Sequence, residues 1–169
     1  VPLILHCASM SVAGFVPPTE AIVDAIVREA ERMQTPWIGE HLAFVTADPL
    51  DVSGAALGSP TTLTYTVCPQ LSEETVRRVV DNVALLQSRC KTPLILENPP
   101  QYFTVPGSTM AMADFVNLVL SHCEVGFLLD LSHFLIAVLN TGADADEELS
   151  RLPLDRVREI HISGMNVES

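Results

Sequence analysis

The alternation of short apolar runs with helical stretches constrains the fold of this chain most strongly. A short apolar run, a polar residue at its end and then a helical pattern recur five times along the sequence. Strands of this length alternating with helices predict βαβ units and a parallel sheet, and runs that are apolar throughout predict that both sheet faces are covered. The runs are Leu3-Ile4-Leu5, Trp37-Ile38-Gly39, Leu94-Ile95-Leu96, Gly126-Phe127-Leu128-Leu129 and Val157-Arg158-Glu159-Ile160.

Helical segments are expected between these strands. The first begins after Thr19 and the second after Ser72, because each side chain suits an N-cap and is followed by apolar residues at helical spacing. Residues 109–120 and 134–139 are predicted to form two further helices. Residues 46–70 are rich in Gly, Pro and Thr and have no clear periodicity, so we predict a long loop that is functional or mobile.

Five βα units leave two architectures open. A closed TIM-type barrel requires eight such units, so the chain is either a fragment of a longer (β/α) barrel or an open doubly wound sheet. The sequence stops at Ser169, directly after the fifth predicted strand, which favours a fragment. We therefore predict an α/β fold of the TIM-type (β/α) barrel class, incomplete in this chain. Residues 1–169 are expected to form one barrel domain.

Composition limits the partners and the compartment. The formal net charge is −12 with only nine Lys and Arg residues, so nucleic acid is not an expected partner. No apolar run approaches the ~18–20 residues that cross a bilayer, and no secretory signal is visible. The four scattered cysteines form no CxxC pair, which is typical of reduced thiols in a cytoplasmic protein, and Cys68 is expected to be the most exposed of them.

Residues that can bind metal ions follow all five predicted strands. In parallel α/β proteins, ligands and catalytic groups lie at the carboxyl ends of the strands. Each residue alone has an ordinary structural explanation, but buried carboxylates and imidazoles that converge without a cation are costly. The pattern therefore predicts a metal site. Its candidate residues are His6, then Glu40 and His41, then Glu97 and Asn98, then Asp130 and His133, and finally His161.

The residue types narrow the choice of metal and leave the reaction open. Imidazole and carboxylate ligands suit Fe, Mn or Zn, and this ligand set exceeds one tetrahedral zinc, so two or more ions are expected. A redox iron centre and a hydrolytic zinc cluster both remain possible. An isomerase, an endonuclease-like hydrolase and a degenerate barrel without chemistry are alternatives. The acidic charge disfavours a DNA substrate, and the absence of Lys at the strand ends disfavours sugar isomerisation.

Five motifs resemble the multinuclear non-haem iron-dependent oxidase family, which includes the methanobactin-forming oxidase. The resemblance implies a TIM barrel with two or three irons that use O₂ to rebuild side chains, commonly cysteine, in ribosomally made peptides. It also implies a peptide substrate and a separate peptide-recognition partner protein. The motifs are PLILHCASMSVAG (residues 2–14), WIGEHLAF (37–44), LILENPPQY (94–102), LLDLSH (128–133) and EIHISG (159–164).

The same resemblance implies a set of iron ligands. By motif match these are His6, His41, Glu97, Asp130 and His161. His133 stands where members of the family usually carry Asn, and histidine is also a good ligand, so it is included in the predicted metal set. Met165 stands where many members have a second His. Further ligands of the family, and its first barrel strand, are expected to lie outside this chain.

Overall fold

A five-stranded parallel sheet dominates the fold. The computed structural model describes residues 2–47 and 58–164, and Met165 lies outside them. In chain order the elements are β1 (Leu5–Cys7), α1 (Glu20–Met33), β2 (Ile38–His41), β3 (Phe44–Ala47), β4 (Thr61–Val67), α2 (Glu73–Arg89), β5 (Leu94–Glu97), α3 (Met112–His122), β6 (Gly126–Asp130), α4 (Leu131–Thr141), α5 (Ala145–Arg151), a 3₁₀ turn (Leu154–Arg156) and β7 (Val157–His161).

The order of the strands decides between the two predicted architectures. The sheet runs β1-β2-β5-β6-β7, and every neighbouring pair is parallel. The parallel strands therefore lie side by side in chain order, as in a TIM-type barrel, whereas a doubly wound sheet reverses its order part-way. Within the described residues, β1 and β7 are the two edges of this sheet. The predicted TIM-type α/β fold is confirmed, and five of its strands lie among the described residues.

The helices pack against one face of the sheet, and the candidate metal-binding side chains lie on the other. Alternate side chains of the strands join the helices in the hydrophobic core; on the strands these include Ile38, Leu94, Leu96, Phe127 and Leu129. Because successive side chains on a strand point to opposite faces, Gly39, Ile95 and Leu128 lie on the other face, which we call the inner face. The last residues of the strands extend this face toward the carboxyl edge of the sheet.

Local hydrogen bonds explain where the helices begin. The side chain of Thr19 caps α1 and that of Ser72 caps α2, as predicted. The helix predicted from residue 134 begins earlier, at Leu131, because Asp130 Oδ1 accepts a hydrogen bond from the backbone N–H of His133 and caps it. The helix predicted from residue 109 begins only at Met112, and α5 was not predicted at all.

The prediction of a long loop over residues 46–70 is wrong in part. Residues 44–47 and 61–67 form the antiparallel pair β3–β4, which lies in a sheet of its own next to the end of β2. The rest of the predicted loop includes residues 48–57, which lie outside the described residues. The expectation that Cys68 is the most exposed thiol is also wrong: it is buried at the end of β4, and Cys7 is the cysteine with partial exposure.

Candidate metal centre

The carboxylate of Glu97 forms the centre of the polar cluster. Glu97 is the last residue of β5 and is 1% exposed. Four imidazole nitrogens lie within 3.6 Å of its two oxygens. The distances are 3.0 Å from His6 Nε2 and 3.2 Å from His41 Nε2 to Oε2, and 3.3 Å from His133 Nδ1 and 3.6 Å from His161 Nδ1 to Oε1.

The strand order explains why these residues meet. His41 is the last residue of β2 and His161 the last residue of β7, while His6 is the last but one of β1. The carboxyl ends of parallel strands share one edge, so these three side chains lie near one another. In register, His41 lies beside Glu97 and Asp130 beside His161. The predicted site residues are thus gathered at one end of the sheet, while the remaining histidine, His122, is exposed at the end of α3.

Asp130 lies at the margin of the cluster. Its Oδ2 is 3.9 Å from Nδ1 of His133, while its Oδ1 is used to cap α4. Possible ligand atoms group into two sets, each within 4.8 Å: His6, His41 and Glu97 in one, and Glu97, Asp130 and His133 in the other. Because both sets contain Glu97, the arrangement can accommodate two ions that share one carboxylate.

The hydrogen bonds behind the imidazole rings decide which nitrogen carries a lone pair. Nδ1 of His41 lies 3.0 Å from the carbonyl oxygen of Cys7. A carbonyl only accepts, so this nitrogen carries the proton and Nε2, which faces Glu97, is left with its lone pair. Nδ1 of His133 lies 3.0 Å from the carbonyl oxygen of Asn98, so His133 turns its proton toward Asn98 and Glu97 and keeps its lone pair on Nε2.

One oxygen of Glu97 lacks a satisfactory partner. Oε2 is buried, and none of the described residues donates a hydrogen bond of acceptable geometry to it, even though His6 Nε2 lies at hydrogen-bonding distance. The angle, rather than the distance, is what fails. Oε2 also faces the lone pair of His41 Nε2 at 3.2 Å. Lone pairs that point at one another in a buried site are stabilised by a cation between them, so the donor set fits a metal ion.

The protonation of the cluster follows from burial and charge. Burial alone would raise the pKa of Glu97, but the close imidazoles of His6, His41 and His133 outweigh it and hold this pKa below its ordinary value. The carboxylate of Glu97, 3.0 Å from Nε2, raises the pKa of His6. Burial lowers the pKa of His41 and keeps that ring neutral, which is the form that binds metals. The carboxylate is therefore charged and at least one imidazole is available as a ligand.

Glu40, within β2, and Asn98, directly after β5, were also candidates, and their side chains have structural roles. Glu40 points to the other side of β2, where its carboxylate accepts hydrogen bonds from the backbone N–H groups of Met10 and His41. Burial raises its pKa to about 7. The Asn98 side chain bonds both the N–H and the C=O of Asp130, and so fastens the end of β5 to the end of β6.

Comparison with known proteins gives the family. Over residues 1–169 the chain matches the family described as RiPP precursor modification enzyme MbnB/TglH/ChrH, where a RiPP is a ribosomally made, modified peptide. The chain belongs to this family. The match confirms the resemblance read from the motifs, and these enzymes act on peptide precursors according to the family's description.

Curated relatives of the family are longer than this chain. It is 30% identical over 166 residues to a UPF0276 protein of Paraburkholderia phytofirmans, covering 96% of this chain and 50% of that protein. It is 31% identical over 163 residues to a UPF0276 protein of Caulobacter vibrioides, covering 96% and 54%. The chain thus spans about half the length of the curated relatives that it matches.

A solved structure supports the fold. The apo form of 3-keto-D-glucoside 4-epimerase YcjR from E. coli matches with a TM-score of 0.54 at 12% identity, covering 95% of this chain and 58% of that one. At this identity the likeness concerns the fold alone. Among the described residues, no helix is long and apolar enough to cross a membrane.

Proposed function

We propose that this chain supplies part of the metal centre of an iron-dependent oxidase that modifies a RiPP precursor peptide. In this proposal two or three irons are held by His6, His41, Glu97, Asp130, His133 and His161, and Zn or Mn in their place is the alternative that metal analysis tests. O₂ is the oxidant, and a cysteine of the peptide is the residue modified. The family supports a peptide substrate.

The convergence of four imidazoles on one buried carboxylate is the observation that carries the proposal. A structural role alone does not account for a buried Oε2 that receives no hydrogen bond from the part of the chain that the structure describes. The two overlapping ligand sets around Glu97 support more than one ion, since one tetrahedral ion needs only four ligands.

The residues and the metal have distinct tasks in this proposal. When bound, the iron ions would supply a site for the peptide thiolate and the means to activate O₂ for oxidation at the carbon beside sulfur. The negative charge of Glu97 would offset the repulsion between neighbouring cations. The backbone oxygen of Cys7 fixes the His41 ring with Nε2 toward the centre, and the buried strands below exclude water.

The β3–β4 hairpin is our candidate for contact with the peptide. It follows β2 directly, and with the segment after β5 it forms a cavity of about 140 Å³ lined in part by Tyr65, Tyr102 and Phe103. All three aromatic side chains are exposed. Exposed aromatic side chains offer a large apolar contact surface to a peptide chain. A separate peptide-recognition protein, as the resemblance implies, would deliver the substrate.

Metal analysis and two substitutions test the proposal. The purified protein is expected to contain iron; zinc in its place would favour a hydrolase, and no metal a barrel without chemistry. Glu97→Gln keeps the volume but removes the charge, and His41→Ala removes a ligand, so both should lower the iron content. His41→Ala should also abolish O₂ consumption with a cysteine-containing peptide. Full iron content and full peptide oxidation in both variants would overturn the proposal.

A comparison without metal separates ligand loss from loss of stability. Thermal unfolding is measured for chelator-treated wild type and chelator-treated variants. If the variants lose iron but unfold at the temperature of the metal-free wild type, the effect is on binding. A variant that unfolds earlier even without metal has a damaged fold, and its iron content then carries no information about the ligand.

A further inference from the structure

Glu159 connects two residues from distant strands across the inner face of the sheet. It lies on β7, two residues before His161, and its side chain is 17% exposed. Glu159 Oε1 lies 2.9 Å from His161 Nε2, and Oε2 accepts a hydrogen bond from the indole N–H of Trp37. Trp37 immediately precedes β2, and β5 and β6 lie between β2 and β7 in the sheet. Each carboxylate oxygen therefore serves one donor.

We infer that Glu159 is a positioning residue that holds His161 in the tautomer with the proton on Nε2, and that Trp37 in turn holds Glu159. A carboxylate only accepts, so the nitrogen of His161 that faces Glu159 carries the proton. Nδ1, 3.6 Å from Glu97 Oε1, is then left with its lone pair toward the cluster. Histidines that bind metals commonly donate their other N–H to a carboxylate, which fixes the ring and raises its basicity.

His161 carries its proton on the opposite ring nitrogen to His41. There the backbone oxygen of Cys7 takes the proton on Nδ1 and leaves Nε2 toward the cluster. In both rings an acceptor outside the cluster selects the nitrogen that faces Glu97. The role of Glu159 toward a metal rests on the proposed function, whereas the tautomer of His161 is a property of the protein without metal.

The tautomer is measured by ¹⁵N NMR of the histidine rings in the full, chelator-treated chain. The measurement is made at about pH 8.5, above the ordinary imidazole pKa of about 6.5, and the His161 signals are assigned by their loss in His161→Gln. In wild type we expect a proton on Nε2 and none on Nδ1. A proton on Nδ1, in either the other tautomer or an imidazolium ring, would overturn the inference without any variant.

Substitutions then test the part played by Glu159 and Trp37. Glu159→Leu removes both acceptors, so the His161 ring should become a mixture of tautomers, and Zn²⁺ affinity should fall by about 10–100-fold. Glu159→Gln alone offers one carbonyl oxygen to two donors. In the double variant Trp37→Phe/Glu159→Gln only His161 needs that oxygen, so the Nε2–H tautomer and most of the Zn²⁺ affinity should return. An unchanged tautomer in Glu159→Leu would overturn the role of Glu159.

Glu148→Gln is the matched control. Its carboxylate is 14% exposed, close to the 17% of Glu159, and it is also hydrogen-bonded, but its partners are Arg151 and the start of α3. This variant should change neither the His161 tautomer nor the Zn²⁺ affinity. The two proposals fail separately: a protein with the Nε2–H tautomer but no metal contradicts the proposed function alone, and a metal-binding protein with Nδ1–H contradicts this inference alone.

Discussion

Gly39 lies in β2 on the inner face, and the ring of His6 occupies the space that a side chain there would need. A Cβ added at Gly39 would lie 2.4 Å from His6 Nδ1 and 3.2 Å from its Cε1. The first distance is well below van der Waals contact, so in Gly39→Ala the imidazole has to move. The ring is 30% exposed, and it can therefore rotate toward solvent, away from Glu97.

Stability and metal binding should respond differently to this substitution. Overpacking costs about 1–3 kcal/mol, but the contacted atoms belong to a movable ring, and Gly→Ala also restricts the unfolded chain by about 0.4–1 kcal/mol. We expect a net loss of unfolding free energy of at most about 1 kcal/mol. Removal of a residue that only orients a metal ligand lowers metal affinity by about 10–100-fold, and displacement of His6 should cost at least this much, or about 1.4–2.8 kcal/mol.

Gly126→Ala is the control, since it creates similar crowding away from the site. Its Cβ would lie 2.8 Å from Ile95 Cγ2 and 2.9 Å from Arg158 Cγ, at the amino-terminal end of β6. Ile95 is buried, so this variant should lose more stability than Gly39→Ala and keep its metal affinity. Urea unfolding without metal and competition for Zn²⁺ with a chromophoric chelator measure the two quantities. Wild-type affinity in Gly39→Ala would refute the assignment of His6.

Three further substitutions test the frame around the site. Thr35→Val should cost about 1–3 kcal/mol in urea unfolding, because Thr35 Oγ1 accepts from the Leu5 N–H and donates to the Trp37 carbonyl in a buried position; an unchanged midpoint would contradict this. Asn98→Ala should cost about 1–3 kcal/mol for each of the two Asp130 backbone groups that it leaves unpaired, in the same assay. Burial raises the pKa of the Cys68 thiol from 9.0 to about 12. Between pH 9 and about 12 the unfolded thiol releases a proton that the native thiol keeps. The unfolding free energy of wild type should therefore fall relative to that of Cys68→Ala by about 1.4 kcal/mol per pH unit as the pH rises. Plots of unfolding free energy against pH that run parallel for the two proteins would argue against a raised pKa.

The position of the site could be predicted from sequence because it depends on topology. Parallel strands have their carboxyl ends at one edge, so a polar residue that follows each apolar run must lie near the others. This reasoning brought the strand-end residues to one edge without any distances, and the register then pairs His41 with Glu97 and Asp130 with His161. The exact limits of the strands mattered little: β1 is Leu5–Cys7 rather than residues 3–5, and His6 still lies at the same edge.

The β3–β4 hairpin shows where sequence reasoning was too coarse. Thr61–Val67 reads Thr-Thr-Leu-Thr-Tyr-Thr-Val, and its larger side chains Leu63, Tyr65 and Val67 recur at every second position. That is the spacing of a strand, and β-branched threonine favours strands as well. The Gly and Pro residues that precede this segment concealed the pattern. By contrast, the early start of α4 depends on the rotamer with which Asp130 accepts the His133 N–H, and sequence does not specify rotamers.

Residues two positions before the candidate ligand histidines carry information that a search for metal ligands overlooks. Residues i and i+2 of a strand share a face, so Gly39 lies on the same face as His41, and Glu159 on the same face as His161. Gly39 provides space for the neighbouring ring of His6, and Glu159 accepts a hydrogen bond from His161. The candidate ligands can be read from strand ends alone. The nitrogen that a ring presents depends instead on its acceptor, which is a backbone oxygen for His41 and His133 and, for His161, the carboxylate of Glu159 two residues back on the same strand.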